Sequence, residues 1–114
     1  MHFVSEDTGD VRIITVQDDR IDAANAVAFK DQMGRLTDDL DGRIILDLSS
    51  VEFVDSSGLG AIVAVMKVLA PDHRLELAGL NETVGKVFRL TRMDSVFAIH
   101  ADVSAAVSEP LDAA

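Results

Sequence analysis

The stretch RIILDLSSVEFVDSSGLG, Arg43 to Gly60, reads as a strand that passes through a short polar connector into a helix. Ile44, Ile45 and Leu46 are consecutive, and Leu48 follows two residues later. An apolar run of this kind predicts a central strand over Arg43 to Ser49 that is covered on both faces. Val51, Phe53 and Val54 form a second short apolar stretch. Asp55-Ser56-Ser57-Gly58-Leu59-Gly60 then opens an apolar segment that predicts a helix through about Leu69.

The same alternation continues on either side. Toward the N-terminus, Val11 to Gln17 is a β-rich run, and a shorter strand is expected near Phe3. Asp22 stands before AANAVAFKDQMGRLTDDL, where its carboxylate could serve as the N-cap of a first helix. Ala26, Phe29, Met33, Leu36 and Leu40 recur at three- and four-residue spacing and make one apolar stripe. Gly42 supplies the turn that follows. Beyond the central segment, Pro71 and Asp72 end the second helix, and Arg74 to Ala78 alternates like a strand. Gly79 marks a turn. Asn81 to Leu90 predicts a third helix with Val84, Val87 and Phe88 facing inward. Val96 to Ile99 is expected to be the last strand, and Asp102 to cap a short terminal helix. The order predicts an α/β fold, with a mixed central β-sheet and about four helices packed on it. One domain is expected over 1–114, with a core at about 3–108 and a flexible tail at 109–114.

Composition narrows the function. The 114 residues are 48 % hydrophobic but only 4 % aromatic, so the core must be mainly aliphatic. A net charge of −10 argues against a nucleic-acid partner, which requires a basic patch. It favours a partner of complementary charge. Cysteine is absent, which removes disulfides, thiolate nucleophiles and cysteine-based zinc sites. Residues 1–9 lack a signal-peptide pattern. The longest apolar run, Leu59 to Ala70, is shorter than the ~20 residues of a membrane-spanning helix. A cytoplasmic protein without membrane insertion is expected.

His2, His73 and His100 are scattered without metal-ligand spacing, so no metal or other cofactor is expected. His73 and His100 read as surface residues. The carboxylate-rich turns Asp18-Asp19 with Asp22, and Asp38-Asp39 with Asp41, lack the full calcium-loop motif. Ser56 has no G-x-S-x-G elbow around it, and no phosphate-binding Lys follows Gly58 and Gly60. The chain therefore does not read as an enzyme.

Two readings of Asp55 to Gly60 compete on physical grounds. A helix start has amides without intrahelical partners and a dipole that favours negative charge. In one reading a serine simply caps the helix and the glycines permit tight packing. In the other, Ser56 is a phosphorylation site, and the bare backbone of Gly58 and Gly60 lets a partner's active-site loop approach.

The segment Ile44 to Gly60 resembles the STAS family, named for sulphate transporters and anti-sigma factor antagonists, through its strand, connector and D-S-S/T-G-L-G signature. Weaker agreement extends through Val11, Asp22-Ala23-Ala24 and Leu75 to Phe97. The resemblance implies a partner-switching protein of the antagonist type. Its unmodified form binds an anti-sigma factor that is also a serine kinase, and so releases the sigma factor. The kinase phosphorylates the first hydroxyl residue of the signature, here Ser56, and a serine phosphatase reverses this. Asp55 is implied to help present Ser56, and Asp22 to lie close to the same surface.

The second helix adds to this expectation. At about 100° per residue, Leu59, Ile62, Val63, Met66, Leu69 and Ala70 share a face expected to meet the sheet. Gly60, Ala61, Ala64, Val65 and Val68 remain on the other side, with only Lys67 plainly polar. Such a helix is either buried all round or offers an apolar patch to a partner. Family resemblance places it in the interface. The expected partner-binding set is Asp22, Asp55, Ser56, Ser57, Gly58, Leu59, Gly60, Ala61, Ala64 and Lys67, on a monomer or weak dimer. The alternative function on the same fold is a non-catalytic subunit of a transporter complex that binds its ATPase subunit. A scaffold in a larger signalling assembly is a further reading.

Overall fold

A computed structural model describes residues 1–39, 42–70 and 73–108. Leu40 of the first apolar stripe, the Pro71-Asp72 stop and the expected 109–114 tail lie outside the described residues.

The observed order is β1 (Phe3–Thr8), β2 (Val11–Val16), β3 (Arg20–Ile21), α1 (Ala26–Thr37), β4 (Gly42–Asp47), β5 (Phe53–Val54), α2 (Ser56–Leu69), β6 (His73–Ala78), α3 (Glu82–Leu90), β7 (Ala98–His100) and α4 (Val103–Ser108), with one 3₁₀ turn at Met93–Ser95. Five strands form a mixed sheet in the order β1-β2-β4-β6-β7. β1 and β2 are antiparallel, and the remaining pairs are parallel. Among the described residues the expected mixed sheet with four helices is therefore present.

β4 lies centrally and is buried on both sides, as its unbroken apolar run requires. Ile44 and Leu46 face one core with Ile14, Val16, Leu75 and Leu77, roofed by Phe29 and Met33 of α1, Ile62, Val65 and Leu69 of α2, and Val84 and Phe88 of α3. Ile45 points the other way and packs with Val11, Ala78 and Ala106 beneath α4. Successive side chains of a strand alternate between faces, so one β4 run supplies both cores.

The second face also holds charges that the strand pattern did not predict. Glu76 of β6 is fully buried and forms a two-point pair with Arg43: Nε donates to Oε2 at 2.6 Å and Nη2 to Oε1 at 2.7 Å. Arg43 Nη2 also donates to the Ala106 carbonyl at 2.8 Å, which ties α4 to the sheet. His100 was expected at the surface. Its side chain is instead only 8 % exposed, with Nε2 2.7 Å from Glu76 Oε1. Parallel pairing of β6 with β7 places it one strand from Glu76, and an ionised carboxylate can only accept.

Several boundaries differ from expectation, among them those of β4, which takes in Gly42, expected as a turn, and ends at Asp47 rather than Ser49. α1 begins at Ala26, three residues later than the sequence suggests, with Asn25 at the N-cap position and no side-chain capping bond. Asp22 does not cap it. Asp22 Oδ1 accepts from Ala24 N at 3.0 Å, and Asp22 N donates to Asn25 Oδ1 at 2.9 Å. Asx side chains close such local turns in competition with helix formation. The last strand begins at Ala98 rather than Val96, because Val96 and Phe97 bond back to the Met93 carbonyl and complete the 3₁₀ turn.

Candidate partner-binding site

The two-residue strands β3 and β5 pair in parallel, with Arg20 opposite Phe53 and Ile21 opposite Val54. Neither was foreseen, since a two-residue strand has no detectable alternation. Their effect is to bring the Asp22 turn beside the start of α2. Asp55 then joins the two. Its Oδ1 accepts from Gly58 N at 2.8 Å as the N-cap of α2, and its Oδ2 accepts from Ala23 N at 3.2 Å. The cap is thus Asp55 and not a serine.

This assignment leaves both serines available. Ser56 and Ser57 occupy the first two helical positions and are exposed, and neither hydroxyl makes an intramolecular hydrogen bond among the described residues. A group attached to Ser56 Oγ would project into solvent beside the positive end of the α2 dipole. The surroundings are acidic, with exposed Asp19 and Glu52, half-buried Asp55, and Asp22 at 15 % side-chain exposure. Arg20 partly balances them, 3.6 Å from Asp19 and 3.8 Å from Asp22, while its guanidinium carbon lies 5.8 Å from the centre of the half-exposed Phe53 ring.

The orientation of α2 differs from the sequence reading. Gly58, Ala61, Ile62, Val65 and Leu69 are the buried line, whereas Leu59, Val63 and Met66 are only partly covered and Ala70 is exposed. Gly58 is the cause. A Cβ there would stand 2.0 Å from the Ile21 carbonyl oxygen, so only glycine lets the helix start press against β3. The small residues Gly58 and Ala61 turn inward in consequence and offer a partner no side chain. Gly60, in contrast, is exposed, and a Cβ there would meet nothing within 4 Å. Ser56, Gly60, partly covered Val63 and exposed Lys67 follow one another at helical spacing along the outer side of α2. Ala64 lies beside this line, half-buried toward α1.

Removing the Asp55 carboxylate tests this arrangement. Asp55→Ala is expected to lower stability by about 1–2 kcal/mol through loss of the cap. Asp55→Asn, which can still cap, should retain most of it. Urea midpoints that fall equally for both variants would show that the cap is not what matters.

Residues 2–106 match the STAS domain family profile, and the chain belongs to that family. A Thermotoga maritima relative, named as a candidate anti-sigma factor antagonist, is 37 % identical over 68 residues, which span 59 % of this chain and 60 % of the relative. The chain thus matches less than two thirds of that relative's length. The solution structure of the protein TM1081 superposes with a TM-score of 0.78 at 30 % identity, over 96 % of this chain and 88 % of that one. The crystal structure of an anti-sigma factor antagonist from Mycobacterium paratuberculosis gives a TM-score of 0.84 over 94 % of this chain and 91 % of that one; at 24 % identity the likeness is one of fold. Among the described residues, no helix is long and apolar enough to cross a membrane.

Proposed function

We propose that this protein is a cytoplasmic anti-sigma factor antagonist in a partner-switching cascade. Its unphosphorylated form binds an anti-sigma factor serine kinase, frees the sigma factor, and is released when Ser56 is phosphorylated. A serine phosphatase restores the binding form. The observation that carries this reading is the exposed, unbonded Ser56 hydroxyl at the first position of α2, with capping already done by Asp55. The relative's name supports the same role.

Phosphate adds about −1.5 to −2 charges to a surface that already carries Asp19, Asp22, Glu52 and Asp55. A docked partner would meet like-charge repulsion and a larger desolvation cost, while the helix dipole offsets part of the charge in the free protein. A penalty of about 2.7 kcal/mol weakens binding roughly 100-fold. No change of fold is required.

The test combines the purified chain, ATP and the candidate kinase partner, followed by intact mass and complex formation. One phosphate on the wild type, none on Ser56→Ala, and loss of the complex on modification are expected. Ser56→Asp should bind roughly 100-fold more weakly than Ser56→Ala. Absence of phosphate together with a stable complex with a transporter ATPase subunit would replace this reading by the transporter-subunit one.

A further inference from the structure

The neighbouring parallel strands β6 and β7 send their chains to opposite faces of the sheet. After β6 the chain turns at Gly79 into α3, whose Val84 and Phe88 belong to the larger core. After β7 it runs into α4, whose Ala106 belongs to the smaller one. Gly79 N donates to the His100 carbonyl at 3.2 Å, and beyond that bond the two chains part. In an open α/β sheet such a switch point leaves a crevice outside the carboxyl ends of the strands, where ligands bind. Here a cavity of about 650 Å³ occupies it, walled by Leu80, Asn81 and Glu82 after β6 and by Ile99, His100 and Ala101 about the end of β7. It continues along α3 past Gly85 to Arg89, and to Asp94 of the 3₁₀ turn. That volume suits a small molecule.

The lining combines an apolar floor with charges of both signs that do not meet. Ile99 stands opposite Leu77 in the strand register, so its side chain lies on the α3 side of the sheet, yet it is exposed. Gly85 provides no side chain to cover it, although glycine inside a helix is less favourable than alanine. A Cβ at Gly85 would meet the Arg89 Nη1 at 3.3 Å, so the guanidinium lies back across the glycine along the cavity wall. Arg89, Glu82 and Asp94 line one cavity, but none forms an ion pair among the described residues. Glu82 and Arg89 are seven residues apart, about 10 Å along the helix. A simple anion here would face two acids, and a simple cation would face the guanidinium. A molecule with a carboxylate, an ammonium group and an aliphatic body between them complements all three features.

We propose that the β6–β7 crevice binds a small zwitterion, an amino acid or another amino-carboxylate with an aliphatic body. Its carboxylate meets Arg89, its ammonium group meets the acids Glu82 and Asp94, and its aliphatic part lies on Ile99 and Leu80. None of the residues expected to bind a protein partner lines this cavity. The proposal therefore stands apart from the antagonist reading.

Heteronuclear NMR titration of the full, unphosphorylated chain tests it. Leucine and 6-aminohexanoate serve as zwitterionic probes of different charge separation, and hexanoate and hexylamine carry one charge each. Both zwitterions should shift the amide resonances of Leu80 to Arg89 and Asp94 to Ala101 saturably, about tenfold more tightly than either single-charge probe. Arg89→Gln should weaken their binding about tenfold at an unchanged melting temperature. Gly85→Ala should hold or raise the melting temperature through helix propensity, yet weaken binding several-fold by displacing the guanidinium. In Glu82→Gln with Asp94→Asn, the preference for 6-aminohexanoate over hexanoate should vanish. No shifts from either zwitterion, a single-charge probe bound as tightly, or shifts centred on Ser56 and α2 would each overturn the proposal. The kinase enters none of these measurements, so failure here leaves the antagonist reading standing, and failure of that reading leaves this site untouched.

Discussion

Arg43→Met should be the most damaging conservative change in the sheet, lowering stability by about 3–5 kcal/mol at neutral pH. Methionine keeps the apolar stem but removes both donors to Glu76 and the donor to the Ala106 carbonyl. Glu76 then remains buried with only Arg74, 3.2 Å away, and His100 beside it. The pH dependence follows from the same contacts. Burial alone would push the Glu76 carboxyl up, but hydrogen bonds from Arg43 and His100, with the charges of Arg43 and Arg74, hold it below the usual carboxylate range. A lowered folded-state value means stability that is present above the unfolded glutamate pKa of about 4.3 and lost as pH falls through the folded value. In Arg43→Met most of that lowering is gone, so the deficit against wild type should shrink as pH drops below about 4.3. Urea unfolding at pH 7 and across the acid range measures both effects. A deficit below about 1 kcal/mol at pH 7, or one that widens in acid, would contradict the assignment of Arg43 as the main partner.

The second large effect is expected at the start of α2. Gly58→Ala places a methyl carbon 2.0 Å from the Ile21 carbonyl oxygen and 2.6 Å from its carbon, both backbone atoms that cannot rotate away. α2 must therefore lift from β3. Overpacking costs about 1–3 kcal/mol where side chains can adjust, and the upper end or more is expected here. The lift also loosens the Asp55 bridge to Ala23, so binding at Ser56 should fall together with stability. Gly60→Ala is the matched comparison. It lies two residues on in the same helix, has open space at the Cβ position, and should gain about 0.5–1 kcal/mol of stability from helix propensity. Equal melting temperatures for the two variants would show that contact with β3 does not require glycine. Partner binding by Gly60→Ala reports separately on how closely the partner approaches the outer side of α2.

Local pattern carried much of this protein. The unbroken Ile44-Ile45-Leu46 run placed β4 at the centre of the sheet, because a strand buried on both faces has no polar side to alternate with. Phe29 and Met33 marked the inner side of α1, Asn81 preceded α3, and Asp102 accepts from Ala105 N at 2.7 Å at the start of α4. The position of the signature at the strand-to-helix junction was also legible, since it follows directly from element order.

What escaped the sequence depended on contacts between segments far apart in it. Pattern and spacing gave Asp22 and Asp55 separate roles, and only the family resemblance put them near one surface; the β3–β5 pair is what makes them neighbours. The rotation of α2 could not be read from periodicity, because nearly every position on that helix is small or apolar and any face could have turned inward. A backbone contact between Gly58 and Ile21 decides it. Arg43, Glu76 and His100 each read as an ordinary polar residue at the end of, or within, its strand, and parallel register across three strands gathers them into one buried charged cluster. Sequence alone thus determined the α/β class and the central strand, because burial along a single element leaves a periodic trace, while the signature serines stood out through the family resemblance. Only the tertiary structure decided which side of α2 faces outward and which charges are buried, because these depend on atoms brought together from 20 or more residues away.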